Sequence, residues 1–137
     1  MKRLVVSAVL LLMFAFPLLS QAETLTGVIQ GFNCVTQGKN CPVGMEDPLV
    51  TTERTFVLLQ DDGDYYLIPN LDRALLARYV AKNVRVTGTL ESKFNAIYAD
   101  TLEYNVDGDW KTAWSKEKME EFHKQVPFYR DQHPLGH

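Results

Sequence analysis

Apolar and polar residues form five short segments with strand-like patterns, which predicts a mainly β protein. Residues 83–90 show the pattern most clearly, because every second position is Val, Gly or Leu and the positions between are polar. Glycines inside two of the segments, Gly27 and Gly88, predict bends, and a break in the alternation near Asp100 predicts a β-bulge. The predicted strands cover residues 25–32, 56–60, 65–68, 83–90 and 95–104.

One helix is predicted between the third and fourth strands. Asn70 is a good N-cap, and apolar side chains follow it at helical spacing over residues 70–81. Residues 33–54 are polar and rich in turn-forming residues, so we expect a long loop before the second strand. Loops of this length are uncommon in compact domains and often carry function. The predicted element order is therefore β-β-β-α-β-β.

A second helix is predicted near the end of the chain. It begins after the N-cap Ser115, and Met119, Phe122 and Val126 share one of its faces. The second strand is apolar on both faces, which indicates that another part of the chain covers its outer side. We expect the cover to be this helix, or the segment 110–114 with its two tryptophans.

The passage from the first helix into the fourth strand carries a resemblance to a known group. Residues 79–88 read Tyr-Val-Ala-Lys-Asn-Val-Arg-Val-Thr-Gly, so a helix end leads into the pattern lysine, x, valine, x, valine, x, glycine. With the element order, this passage resembles small exported bacterial OB-fold proteins. The resemblance implies an all-β fold with accessory helices. It implies a five-stranded OB-fold-like Greek-key barrel over residues 23–105 and a C-terminal helical extension over residues 106–137. It assigns no function.

The amino terminus predicts export. Lys2 and Arg3 precede about 16 mostly apolar residues, and the small residues Ser20 and Ala22 then mark a cleavage site. A spanning helix needs about 20 residues, so a signal peptide over residues 1–22 is favoured over a membrane anchor. The expected location is the periplasm or the outside of the cell, with no stable membrane insertion after cleavage.

Charge argues against nucleic acid as a partner. Removing residues 1–22 lowers Lys plus Arg from 14 to 12 and leaves all 17 Asp and Glu, so the net charge of the remaining 115 residues is −5. OB-folds that bind nucleic acid use aromatic side chains in a basic groove. Phe56, Tyr65 and Tyr66 form a candidate ligand face in the right region, but the neighbouring turn is acidic.

Two cysteines, Cys34 and Cys41, lie in the predicted loop with six residues between them. In an oxidising compartment two nearby thiols usually pair, so a disulfide is predicted. The alternative is a soft copper ion held by both thiols and Met45. The ring would contribute about 2–3 kcal/mol by the loop-entropy model.

Three histidines, His123, His133 and His137, are expected to be solvent-exposed, although they could form a metal site. The exported haem chaperone of cytochrome maturation is an OB barrel with a histidine-x-x-x-tyrosine motif close behind the barrel. Here His123 and Tyr129 are six apart, which departs from that motif.

No catalytic motif is present: the chain lacks a nucleophile motif, a glycine-rich phosphate loop and HExxH. The sequence therefore predicts no enzymatic activity and no cofactor. The expected function is a binding or accessory module that contacts a protein or a small ligand. Metal or haem handling is the alternative.

Overall fold

The computed structural model describes residues 22–126, so the predicted signal peptide lies outside the described residues except for Ala22. The chain is mostly β with a few helices, as predicted. The elements in chain order are β1 (Glu23–Gly31), α1 (Phe32–Thr36), α2 (Glu46–Thr52), β2 (Phe56–Leu59), β3 (Tyr65–Leu67), α3 (Arg73–Ala77), β4 (Asn83–Glu91), a 3-10 helix (Ser92–Phe94), β5 (Ala96–Val106), β6 (Asp109–Ser115) and α4 (Lys116–Gln125).

The six strands form one sheet in the order β3-β2-β1-β4-β5-β6. Neighbouring strands in this order pair antiparallel. An additional parallel pairing joins β3 to β5 through Leu67 and Ala96, and the Leu67 N–H donates to the Asn95 carbonyl at 2.8 Å. Pairings therefore lead from β3 through β2, β1 and β4 to β5 and back to β3.

Two glycines and one bulge allow the strands to approach each other closely. A Cβ at Gly27 would lie 2.3 Å from the Leu59 carbonyl oxygen, and a Cβ at Gly88 would lie 2.0 Å from that of Tyr98. The pairing of β4 with β5 shifts register at Gly88 and leaves Asp100 as the extra residue, which confirms the predicted bulge.

The core lies between the strands of this circuit. Ile29, Leu58, Val84, Val86, Ile97 and Leu102 are fully buried in it. Val57, whose side chain points to the other face of β2, is fully buried as well. We expected the carboxyl-terminal segment to cover this strand. However, α4 packs against β5 and β6, whereas α1 and α3 contact β2.

The helix predicted over residues 70–81 is shorter, and its predicted N-cap is wrong. It spans Arg73–Ala77, and its N-cap is Asp72, whose side chain accepts from the Ala74 N–H at 2.6 Å. The Asn70 side chain is used elsewhere: it donates to the Ala99 carbonyl at 2.8 Å and accepts from the Ala99 N–H at 2.9 Å. Residues 78–81 were predicted to form the last turn of this helix, but they lie beyond its end. There the chain meets the sheet, and the Ala81 N–H donates to the Ile29 carbonyl at 2.8 Å.

Two other predictions need correction. The predicted long loop contains the short helices α1 and α2, and the sheet has a sixth strand, β6, where only a turn and two tryptophans were recognised. Asp107 and Gly108 both have positive φ, as in the tight turns that connect hairpin strands, so the chain returns directly beside β5. Arg85 on β4 pairs with Glu103 on β5 at 2.8 Å and lies over the Trp110 ring of β6, 4.6 Å from its centroid.

Candidate functional site

Residues 32–55, named the anchored loop below, are held at two places, one on β1 and one where the end of the loop meets its beginning. The first anchor is Cys41, which is buried. Its N–H donates to Gln30 Oε1 at 2.6 Å, and its Sγ accepts from the Gly31 N–H at 3.1 Å. Gln30 is a polar residue within β1, and it is only 5% exposed because the anchored loop lies over it. The loop that buries this strand side chain therefore also supplies its hydrogen-bond partner.

The second anchor is the carboxylate of Glu53, which is 5% exposed. One oxygen, Oε2, accepts from the Asn33 N–H at 3.1 Å. The other, Oε1, accepts from Asn33 Nδ2 at 3.0 Å, from the Arg54 N–H at 3.0 Å and from the Thr55 N–H at 3.4 Å. The end of the loop is therefore bonded to its beginning through one buried side chain.

Arg73 on α3 strengthens the second anchor. Its Nε donates to the Glu53 carbonyl at 2.9 Å, and its guanidinium also donates to the carbonyl of Val50. The guanidinium carbon lies 5.5 Å from the centroid of the Phe56 ring, a cation–π contact. The second half of the loop is consequently held by α3 as well as by its own first half.

Between the anchors the loop presents residues 42–45, named the contact turn. Val43 is 84% exposed and Met45 is 53% exposed. The Met45 N–H donates to the Pro42 carbonyl at 3.4 Å, and Gly44 has φ +81°, the value that the third position of a type II turn requires. The turn is thus a defined one with two apolar side chains in solvent.

Glu46 closes the contact turn from its carboxyl side. Its Oε1 accepts from the Gly44 N–H at 3.0 Å. Hydrogen bonds from the backbone N–H groups of Gly44 and of Glu46 itself lower the pKa of the Glu46 carboxyl. The carboxylate form, which can accept these bonds, is therefore the favoured one.

The thiols of Cys34 and Cys41 are adjacent but unbonded. Burial, the hydrogen bond with Cys41 and the charge of Cys41 raise the pKa of the Cys34 thiol to about 11. Cys34 is half-buried, whereas Cys41 is 3% exposed. The disulfide stays a prediction.

The candidate ligand face of Phe56, Tyr65 and Tyr66 is not brought together on one side of the sheet. Phe56 is 2% exposed and Tyr66 packs against the same core. Tyr65 directly precedes Tyr66 on β3, so its side chain has the opposite orientation, and it makes an edge-on contact with Phe32 at 5.8 Å between ring centroids. Phe56 is thus buried, and Tyr65 and Tyr66 are half-buried.

The prediction of an exposed His123 is wrong, because its side chain is 4% exposed. It stands one helical turn after the half-buried Met119 on α4, while Phe122 and Val126 of the predicted apolar face are 41% and 38% exposed. His133, His137 and Tyr129 lie outside the described residues. Within residues 22–126, no three His, Cys, Asp or Glu side chains come together as a metal-ligand set.

A groove lies between β6 and α4. This groove has a volume of about 240 Å³, and Trp114, Met119 and Phe122 contribute its apolar lining while Lys118 contributes a charge. Met119 and Phe122 belong to the apolar face that the sequence predicts for the second helix. The other wall of the groove is β6, a strand that the sequence pattern does not predict.

Reasoning from the sequence also missed the residues that anchor the loop, namely Gln30, Glu53 and Arg73. Gln30 and Glu53 had one usable signal, because each is a polar residue beside a strongly apolar strand segment. Nothing in the pattern around Arg73 distinguishes it from a solvated helix residue.

Comparisons of the chain with protein-family models, with curated proteins and with solved structures found no match. Among the helices of residues 22–126, none has the length and apolar character needed to cross a membrane.

Proposed function

We propose that the protein is a non-catalytic, exported OB-fold module of the periplasm that contacts a partner through the contact turn. The circuit of pairings from β3 through β2, β1, β4 and β5 back to β3 supports a five-stranded OB-fold-like Greek-key barrel. The position of α3 between β3 and β4 supports the same fold. Export rests on the predicted signal over residues 1–22.

One observation carries the choice of surface: two exposed apolar side chains lie on a turn whose flanking chain is anchored on both sides. Exposed apolar residues scattered singly on a surface need no explanation. Val43 and Met45, however, lie two residues apart, and hydrogen bonds of Cys41 and Glu53 hold the surrounding loop. Loops positioned by a rigid scaffold are the usual place for binding residues.

The shape of the contact turn favours a protein over a small molecule as the partner. Small-molecule sites are concave and surround most of their ligand. The contact turn has the opposite shape, because nothing lies within 4 Å of the Cβ position of Gly44 at its tip. A projecting turn of this kind fits into a recess on another protein.

The experiment is capture of partners from the native envelope fraction by the immobilised mature protein. The double variant Val43→Ser, Met45→Ser is compared with wild type and with Phe94→Ser. Phe94 is the matched control, because it is 62% exposed and lies outside the anchored loop. We expect the double variant to lose the captured proteins and the control to retain them. Equal capture by all three proteins would contradict the proposal.

Soft-metal handling is a second candidate function, and the adjacent thiols of Cys34 and Cys41 favour it. Thiolate and thioether sulfurs are the ligands that Cu(I) prefers, and Met45 stands four residues beyond Cys41. Titration of the reduced protein with Cu(I) against a competing chelator tests this candidate. The candidate is supported if wild type takes one Cu(I) ion from the chelator and Cys34→Ser does not. It is rejected if neither protein removes Cu(I) from the chelator.

A further inference from the structure

We propose that Cys34 is a site of thiol–disulfide exchange and that its bond to Cys41 controls how firmly the contact turn is held. The inference rests on the proposed function for its biological meaning, because the contact turn is the proposed contact surface. The chemistry itself depends only on the two thiols and their surroundings.

The two thiols are placed by separate parts of the structure. Cys34 lies on α1, whose second residue, Asn33, is bonded to Glu53 through both its backbone N–H and its side chain. Cys41 is fixed to β1 through Gln30 and Gly31. Because each thiol is held independently, the pair is in position to form a bond without a rearrangement of the sheet.

The pair is asymmetric in access. Cys34 is half-buried and can be reached from solvent, whereas Cys41 belongs to the buried core cluster. An external reagent therefore meets Cys34 first, and Cys41 acts as the resolving thiol. This division of roles follows from burial alone.

The exchange needs an oxidant with a disulfide bond, written RSSR. The Cys34 thiolate attacks one sulfur of RSSR, the S–S bond of RSSR breaks, and RS⁻ leaves and takes up a proton. Cys41, after losing its proton, attacks the sulfur of Cys34 in this mixed disulfide and releases a second thiol RSH. Two electrons pass from the two cysteines to RSSR, and the products are the Cys34–Cys41 bond and two RSH.

The surroundings make this exchange slow unless it is catalysed. Burial and the neighbouring Cys41 raise the pKa of Cys34 to about 11, so at neutral pH its thiolate fraction is roughly a hundredfold below that of a thiol with pKa 9.0. Random small disulfides thus react slowly with the site, and a protein thiol oxidant would set its redox state.

The bond bears directly on the contact turn, because Cys41 immediately precedes Pro42. Residues 36–40, between α1's last turn and Cys41, are exposed, and nothing lies within 4 Å of the Cβ position of Gly38. Without the bond, the first side of the contact turn is held by the hydrogen bonds of Cys41 and by that from the Lys39 N–H to the Cys34 carbonyl. With the bond, it is also tied covalently to α1, which reduces local opening of the turn.

The test compares oxidised and reduced mature protein by amide hydrogen exchange of Val43, Gly44 and Met45. Oxidised glutathione, applied until no free thiol remains, is the oxidant, and dithiothreitol is the reductant. We expect exchange at these amides to be at least about tenfold slower in the oxidised protein, with no change at Gly108, an exposed turn far from the pair in sequence. In Cys34→Ser, oxidant and reductant should give the same exchange. Equal exchange in oxidised and reduced wild type would overturn the proposal.

The order of attack has its own measurement. Cys41→Ser treated with oxidised glutathione should carry one glutathione on Cys34, whereas Cys34→Ser should resist modification because Cys41 is buried. If Cys41→Ser does not fold, the mixed disulfide is sought in wild type by acid quenching at early times and peptide mass analysis. An adduct on Cys41 in the folded protein would overturn the assigned roles. None of these measurements uses a partner, so they remain decisive even if the capture experiment contradicts the proposed function.

Discussion

Replacement of Glu53 by Gln tests whether the anchored loop depends on one buried carboxylate. The substitution keeps the shape of the side chain and changes one oxygen to an NH₂ group. In wild type both oxygens accept, Oε2 from one N–H and Oε1 from three. The amide nitrogen of Gln cannot accept, so at least one of these N–H groups faces another donor.

The magnitude follows from the hydrogen bonds. A bond to a charged acceptor contributes about 1.5–3 kcal/mol, a neutral one about 0.5–1.5 kcal/mol, and a buried donor without an acceptor costs about 1–3 kcal/mol. With one bond lost and the others weakened, Glu53→Gln should lower the free energy of unfolding by about 3 kcal/mol. For a domain of this size the melting temperature should fall by roughly 10 °C.

Urea unfolding of the mature protein under fixed redox conditions measures the change. Glu120→Gln, an exposed carboxylate on α4, is the control and should change stability by less than about 0.5 kcal/mol. A similarly small change for Glu53→Gln would refute the reasoning, since it would mean that water replaces the anchor at no cost.

A double-mutant cycle adds a second check of the same contact. A Cβ at Gly31 would lie 2.7 Å from Glu53 Oε2, so Gly31→Ala must displace the carboxylate. In a Glu53→Ala background that conflict is gone. The two substitutions should therefore be non-additive by about 1 kcal/mol or more, whereas additive effects would show that Gly31 and Glu53 act independently.

Three further predictions concern other parts of the structure. Gly88→Ala should destabilise the protein by about 2–4 kcal/mol in thermal unfolding, because its Cβ would meet the Tyr98 carbonyl oxygen at 2.0 Å and backbone cannot move aside easily. Asn70→Ala should lower the free energy of unfolding by about 1–3 kcal/mol in urea, because it removes both hydrogen bonds to the Ala99 backbone. In the reduced protein, alkylation of Cys34 by iodoacetamide should accelerate about tenfold per pH unit from pH 7 to 10 without levelling near 9, because its pKa is raised to about 11 and only the thiolate reacts.

Each of these three predictions has a matched control or a result that would contradict it. Thr89→Ala, an exposed change next to Gly88, should be nearly neutral, and equal effects at both positions would argue against the close approach. Asn40→Ala, exposed in the anchored loop, serves the same purpose for Asn70. A plateau of the alkylation rate near pH 9 would show that burial does not suppress the thiolate of Cys34.

Strands with a clear alternation of apolar and polar residues could be predicted from the sequence. The alternation of residues 83–90 and the break at Asp100 located β4 and the bulge of β5, because a half-buried strand imposes a period of two on its own residues. The sixth strand was missed because its residues, from Asp109 to Ser115, have half-buried and exposed side chains without a clear alternation. This strand forms because the tight turn at Asp107 and Gly108 brings it beside β5, whose backbone groups it pairs with. Such pairing between two segments leaves no pattern in the residues of β6 alone.

The candidate site was predictable in position but not in construction. The loop before β2 and its two cysteines stand out in the sequence. The anchors do not, because Glu53 and Gln30 become important only when the fold places them against backbone N–H groups that need acceptors. Likewise Asn70 is a reasonable helix cap by its local sequence, and only the position of β5 explains why its side chain bonds Ala99 instead.

The two anchors make the contact turn separable from the fold. The side-chain hydrogen bonds that fix the loop come from residues before position 42 or after position 45, and the turn itself contributes only backbone groups, to Glu46, to Leu49 and within the turn. Provided that Gly44 keeps its positive φ, the other turn positions are free to vary without disturbing the sheet. Residues 42–45 are therefore suited to grafting: a foreign recognition tetrapeptide with glycine at its third position would be displayed there in a fixed orientation on an unchanged scaffold.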